Sequence, residues 1–319
     1  LSLKVQTACR AGDVPGALCI KSGKYTLFRY QWVAPRAGLP LIRKGFTGLQ
    51  MNGDTMMAQD RFRKPLFFFL IAALVWTATA CRAEHLQAEE AVADQQSAQN
   101  FIAQADKLYA QREDLAHARQ AIALLRQALT ADTGNYEAAW KLAKFNYYLG
   151  DFTNLGDERE KSFRDGIEAG KAAVKLQPLK PQGHLWLGAN YGGRAQTSTL
   201  SGFSAVKDIR QEMETVLRLD EGFESGSAYM ALGQLYLEAP KLLGGDQQKA
   251  VQVLEKGLRY GENSSPYRLQ LAKAYLAVKR KDDARKQLNA LLEIKPDPEY
   301  LPEYRRASEE ARKLLDKGF

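Results

Sequence analysis

The sequence predicts an all-α fold in which helical hairpins repeat and stack into a solenoid or a compact superhelix. Three observations carry that prediction. From Phe101 onward apolar residues recur at helical spacing, and no stretch keeps the period-two alternation of a half-buried strand. The helical stretches are short and punctuated by Gly, Pro, Asp and Asn, so that they fall into pairs. A third mark recurs within the pairs: Leu187-Gly188 with Tyr191, Leu232-Gly233 with Tyr236, and Leu271-Ala272 with Tyr275 share one pattern, L-[G/A]-x-x-Y.

Taken in order, the first helix is expected at Phe101–Gln111, with Phe101, Ala105, Leu108 and Tyr109 on one face. Ala118–Leu129 aligns Ala121, Leu124, Leu125, Ala128 and Leu129, and the turn residues 132–135 break it. Tyr136–Leu149 is rich in aromatic residues and is expected to close at Gly150-Asp151. Asp157–Leu176 stops before Pro178, and Gln182–Ala195 runs into a polar loop from Gln196 to Gly202. Ser204–Leu219, Ser227–Glu238, Gln247–Tyr260, Pro266–Val278, Lys281–Ile294 and Leu301–Lys317 complete the set. Asp246 and Asp282 are expected to cap helices, because a short carboxylate accepts hydrogen bonds from unpaired backbone N–H groups of the first turn.

These spacings resemble the tetratricopeptide repeat (TPR). Ala284, Leu288 and Pro296 follow Leu271 at the offsets where that repeat sets a small residue, a large one and a stop. The physical sense is direct. Gly188 or Ala272 lets two helix backbones approach, Leu and Tyr fill the groove between them, and Pro296 cannot continue a helix. The L-[G/A] pairs at Leu142, Leu187, Leu232 and Leu271 are spaced more widely than the repeat's 34 residues, so the repeats are degenerate and carry insertions.

A narrower resemblance rests on residues 184–190 (HLWLGAN), the helix Lys207–Leu219, the helix Ala228–Leu237, and Ala239-Pro240 with Gly244-Gly245-Asp246. Over about Phe101 to Leu315 the chain resembles the TPR-type lipoproteins grouped as the T component of TRAP transporters. That resemblance implies a periplasmic, all-helical protein working beside a substrate-binding subunit whose ligands are mostly small organic acids.

The stretch Arg61–Cys81 (RFRKPLFFFLIAALVWTATAC) divides the chain. A basic head, a short apolar run and a small-residue exit form the layout of a secretory signal peptide, and the apolar run is shorter than a transmembrane helix needs. Ala78-Thr79-Ala80-Cys81 resembles a bacterial lipobox with Ala in place of the usual Leu. Cys81 is then the expected lipidation site; cleavage after an A-x-A signal is the alternative and would release a soluble periplasmic protein. Diacylglycerol plus an N-acyl chain supplies the two or more hydrophobic signals that stable anchoring requires. Arg82 after the cysteine, rather than Asp, favours the outer membrane by resemblance to enterobacterial lipoproteins.

The expected organisation is therefore a leader at 1–55, a signal peptide at 56–80, a tether at 81–99 and a helical repeat domain at 100–319. A signal peptide acts near the start of translation. Residues 1–55 are thus read as sequence upstream of a start at Met51, Met56 or Met57, or else as a disordered leader. The tether is rich in Ala, Glu and Gln and would lift the domain from the bilayer.

Charge follows the same division. The whole chain is +8 with an isoelectric point near 9.2. From Cys81 onward, basic and acidic residues balance at 34 each, so the excess lies in the leader and signal peptide. The repeat domain lacks the basic footprint of a nucleic-acid binder. Cys9 and Cys19 also lie in the leader, which leaves Cys81 without a disulfide partner and without a thiolate metal site.

No catalytic, metal or cofactor site is visible. His85, His117 and His184 have no partners at metal-binding spacing, and His184 reads as a packed or surface histidine. Ser198, Ser201 and Ser204 lack a nucleophile elbow, and Gly244-Gly245-Asp246 lacks the Gly-Lys-Ser/Thr continuation of a P-loop. The chain is read as a non-enzyme. What could bind is the concave face made by the first helix of each pair. Tyr147, Tyr191, Arg194, Tyr229 and Tyr236 are its candidate binding residues, with Tyr191 and Tyr236 also at packing positions of the repeat. Arg194, behind Gly192-Gly193, is set to pair with a carboxylate.

Two functions compete. One is a lipid-anchored scaffold for another envelope protein, with the TRAP substrate-binding subunit as the candidate. The other is a carrier of a small apolar or organic-acid molecule in a helical cavity. An open concave groove favours the first and a closed, apolar-lined cavity the second.

Overall fold

The computed structural model describes residues 92–197 and 199–318, the side chains of residues 199–204 excepted. The leader, the signal peptide, Cys81 and most of the tether lie outside the described residues. Eleven α-helices follow in order: α1 (92–109), α2 (Leu115–Ala131), α3 (Tyr136–Phe152), α4 (Gly156–Leu176), α5 (Pro181–Ala195) and α6 (Thr199–Leu219) come first. Then come α7 (Phe223–Glu238), α8 (Gln247–Gly261), α9 (Ser265–Ala277), α10 (Lys281–Leu292) and α11 (Leu301–Lys317). Short 3₁₀ turns at Lys241–Leu243 and Pro298–Tyr300 complete the chain, and no strand occurs among the described residues.

The helices pair as the sequence pattern requires. Hairpins α3/α4, α5/α6, α7/α8 and α9/α10 pack extensively, and each second helix also packs on the first helix of the next pair, α4 on α5 most of all. First helices stack on one another, α3 on α5, α5 on α7, α7 on α9 and α9 on α11, which builds a continuous inner layer. The glycines of the L-G pattern sit where two helices touch. A Cβ at Gly188 would lie 2.2 Å from Met213 Cε and 3.1 Å from Glu212 Cβ of α6; one at Gly233 would lie 2.4 Å from Leu254 Cγ of α8. No side chain fits in either gap without displacing a neighbour.

Two apolar cores result. One gathers α1–α3 around Ile102, Leu125, Leu142 and Phe145. The other runs through α5–α11 around Met213, Leu254, Tyr267, Leu271 and Leu288. Trp186 of α5 packs against both.

Several boundaries depart from expectation, each for a local reason. The first helix extends back to residue 92, and Ala98, in the stretch read as tether, is fully buried. Helix α3 continues through Gly150-Asp151 to Phe152, because Gly150 is there to admit the Phe163 ring, whose nearest atom would be 2.8 Å from a Cβ. Helix α6 starts at Thr199, which shortens the expected polar loop to a few residues. Asp246 caps α8 as expected, accepting from the backbone N–H groups of Gln248 and Lys249. Asp282 does not cap: α10 begins at Lys281 behind Arg280, so Asp282 falls inside the first turn and points to solvent.

Helix α7 opens in an unusual way. Glu224, Ser225 and Gly226 all take left-handed backbone angles, with φ of 47°, 56° and 75°. Only glycine adopts that region without steric penalty, so the first two residues are strained by roughly 1–2 kcal/mol each.

Candidate functional site

The inner layer borders a half-open cavity of about 740 Å³. It is lined along single faces of α3, α5, α7, α9 and α11. Tyr147 and Asp151 come from α3, Trp186, Ala189 and Gly192 from α5, and Met230, Gln234 and Glu238 from α7; Leu269 and Lys273 lie on α9, Glu303, Arg306 and Glu310 on α11. The spacing of three or four along each helix is the reason one face reaches the cavity. Leu185, Val206, Ile209 and Leu235 give the wall its apolar part.

At one end of the wall Trp186 leans on Tyr147 with ring centroids 5.8 Å apart, and Lys144 Nζ lies 5.4 Å from the indole. Burial pushes the Tyr147 hydroxyl well above the usual tyrosine range, with the nearby Asp151 carboxylate adding to the rise, so it stays a neutral phenol. The charged residues of the wall are mostly paired: Lys273 with Glu310 at 2.7 Å, Arg306 with Asp151, and Glu303 with Arg112 at 3.1 Å. Gly192 faces open space, since a Cβ there would meet nothing within 4 Å.

The sequence-derived candidates separate in the structure. Tyr147 alone among them lines the cavity. Tyr229 and Tyr236 are buried in the core: Tyr229 stacks on Tyr260 with centroids 6.2 Å apart, and the Tyr236 ring carries Lys249 at 4.3 Å and Arg210 at 5.6 Å. Their rings fill the space between first and second helices, so neither is open to a partner on the concave face. Tyr191 and Arg194 are half-buried on the side of α5 that turns toward Lys171 of α4; the Lys171 ammonium feels both. The structure therefore does not bring the five together in one site.

Sequence reasoning missed Trp186, Gly192, the Met230–Gln234–Glu238 face and the whole contribution of α11. The signal was present as i, i+4 stripes along the odd-numbered helices. It becomes readable only when α11 is known to fold back across the opening. Among the described residues no group of three His, Cys, Asp or Glu side chains is placed to hold a metal ion.

Comparison with known proteins bears on this architecture. A family model described as TRAP transporter T-component matches residues 184–318, the helices that form most of the cavity wall. A second model, described as Regulator of microtubule dynamics protein 1-3, matches residues 101–242. Among solved structures, a thermophilic TPR protein of Thermus thermophilus is 23% identical, with a TM-score of 0.50 over 66% of this chain and 98% of its own. This chain is a TPR-like protein that resembles the T component of TRAP transporters. The pilF protein of Pseudomonas aeruginosa is similar over 70% of this chain and 93% of its own, at 16% identity and a TM-score of 0.46. A search of curated proteins finds no match. The TPR-like fold accounts for the stacked hairpins and the inner layer of first helices.

Proposed function

We propose that this TPR-like protein is a scaffold anchored through Cys81 on the periplasmic face of a bacterial membrane, where it holds another envelope protein. The substrate-binding subunit of a TRAP-type transporter is the partner that fits best. One observation supports the reading above others: the T-component model matches residues 184–318, which hold most of the residues around the cavity. Arg194 remains the candidate contact for a partner carboxylate, since it is half-buried at the end of α5 and its Nε has no hydrogen-bond partner. The test is capture from detergent-solubilised envelope, followed by titration of any recovered binding subunit against purified protein. Arg194→Ala is expected to weaken capture by about 1–2 kcal/mol at unchanged circular dichroism. Equal affinity of the two forms rejects Arg194, and failure of both to recover a binding subunit rejects the partner.

A second reading is favoured by the cavity. Its volume falls within the roughly 300–1,000 Å³ of small-molecule sites, and its wall mixes apolar side chains with a few polar tips. On this reading the protein carries a small apolar or organic-acid molecule. A Cβ at Gly192 meets nothing within 4 Å, so Gly192→Leu, which points its side chain into the cavity, should cost little stability while excluding a bound molecule. Native mass spectrometry of the two forms decides: an adduct on the wild type that is lost in Gly192→Leu supports carriage, and the absence of any adduct on the wild type opposes it.

A further inference from the structure

Helix α11 is held in two chemically different ways. On one side Pro302, Ala307, Ser308 and Ala311 are buried, and α11 packs on α9 and α10, with Ala307 and Ala311 inside the larger core. On the other side its contacts to the beginning of the fold are side-chain contacts, and nearly all are ionic. Arg112 donates to both carboxylate oxygens of Glu303, at 3.1 and 3.2 Å, and to the Glu299 carbonyl. Arg305 pairs with Glu113. Arg306 pairs with Asp151, and its guanidinium lies 4.1 Å from the Phe152 ring centroid. Lys144 of α3 lies 3.8 Å from Glu299 and 3.9 Å from Glu224.

Glu224 ties the strained turn of α7 into the same cluster. It accepts a hydrogen bond from the Tyr300 hydroxyl at 3.2 Å while holding left-handed backbone angles. Strained backbone persists only where surrounding contacts over-determine it, and such positions gather at clamps and switches.

From this asymmetry we propose that α11 is a gate, hinged on α9 and α10 by apolar packing and latched to α1–α3 and α7 by an ionic clasp. Opening the clasp would widen the mouth of the cavity between α3 and α11. The proposal rests on the reading that the cavity takes an occupant, and it assigns the route by which the occupant enters. Ion pairs exposed at their edges weaken as salt screens them, whereas apolar burial does not. The exposed pair Arg305–Glu113 and the half-exposed pair Arg306–Asp151 should therefore release first, and Arg112–Glu303, whose Arg112 is buried and screened least, last.

The experiment measures a distance rather than binding, so that it stands apart from the cavity reading. In the full chain with Cys9, Cys19 and Cys81 replaced by Ser, spin labels are placed at the exposed positions Gln120 of α2 and Glu309 of α11. Raising sodium chloride from 0.1 to 1 M, which shortens the Debye length from about 10 to about 3 Å, is expected to lengthen and broaden the α2–α11 distance. A shift on the order of 5 Å, one helix pitch, is the scale of such element movements. The triple change Arg112→Gln, Arg305→Gln and Arg306→Gln removes the guanidinium of all three pairs and should produce the same shift at low salt. A control pair at Gln120 and Lys281 should not move. An α2–α11 distance unchanged across the salt series overturns the gate, whether or not the triple variant folds. A control pair that lengthens equally overturns it too, because the whole superhelix would then be loosening.

Discussion

At the scale of single residues, His184 shows how a bland sequence feature becomes specific. Its Nδ1 lies 2.6 Å from Glu212 Oε2 and its Nε2 lies 2.9 Å from the Pro178 carbonyl. The Pro178 carbonyl can only accept, so Nε2 donates there, and a second acceptor at Nδ1 favours the doubly protonated ring. The hydrogen bond to Glu212 raises the His184 pKa above the usual histidine range, against the desolvation that would lower it. A raised folded-state pKa gives stability that is complete below the unfolded value of about 6.5 and is lost as pH rises through the folded value. Denaturant unfolding of the wild type between pH 5.5 and 9 should thus show stability falling across that upper window. His184→Gln should lose most of this slope, and an unchanged profile would mean that another group carries it. The sequence told that His184 lacked metal partners, and the structure gives it a packed role. What the sequence withheld was Glu212, which is reached only by α6 folding back on α5.

The same helix contact makes Gly188 informative. Its place in the L-G pattern marked it as a point of close approach, and the 2.2 Å gap to Met213 Cε bears this out. Gly188→Leu should lower stability by about 1–3 kcal/mol, the usual cost of overpacking. A wild-type melting temperature for this variant would show that Met213 swings aside without penalty. Asn190 was not legible in this way. It is fully buried, donates through Nδ2 to the carbonyls of Ala143 and Trp186, and sits where Gly166 leaves room for its Oδ1. Nothing in the sequence says that an asparagine midway along a helix ties three helices together.

At the scale of elements, the helices and their pairing were readable because their causes are local: apolar spacing, the stop at Pro178, the Asp246 cap. Errors clustered where a tertiary contact overrides a local signal. Gly150 looked like a helix end and is a contact point for Phe163. The start of α7 was read as Ser227, and that is where regular right-handed geometry begins; the three left-handed residues before it have no sequence signature beyond Gly226. They do offer a test. Ser225 is exposed at φ 56°, a region that costs a non-glycine residue roughly 1–2 kcal/mol. Ser225→Gly removes that cost but frees the unfolded chain, so a net gain of up to about 1 kcal/mol is expected in denaturant unfolding. A loss of stability would mean that the Ser225 side chain makes a contact worth more than the strain.

At the scale of the whole molecule, the solenoid was legible and its closure was not. Repeat patterns fix which helices are neighbours in sequence, whereas the clasp joins Arg112 to Glu303 across 191 positions. Charged residues on a helix face look alike whether they meet solvent or each other. Two of the binding candidates met a related problem: Tyr229 and Tyr236 were legible as large residues of an inner helix, but which side of the helix they take depends on the second helices behind them, and both are buried.

The two cores set the cooperativity of such a molecule. In a stacked-helix protein each hairpin contacts only its neighbours, so unfolding is concerted only if the junctions are strong. Here Trp186 is the apolar side chain that packs against both cores, with Tyr147 beside it and Lys144 over its ring. Trp186→Ala removes the largest shared contact and, at a half-buried site, should cost about 3 kcal/mol, the lower end for such truncations. More telling than the loss is its shape. Wild-type protein is expected to unfold in one transition with matching van't Hoff and calorimetric enthalpies, and Trp186→Ala in two, or in one whose van't Hoff enthalpy falls below the calorimetric value. High salt should deepen the split if the clasp of α11 is the second tie between the ends of the chain. A single sharp transition in Trp186→Ala at both low and high salt would show that the Asn190 hydrogen bonds and the α4–α5 packing suffice to join the two halves.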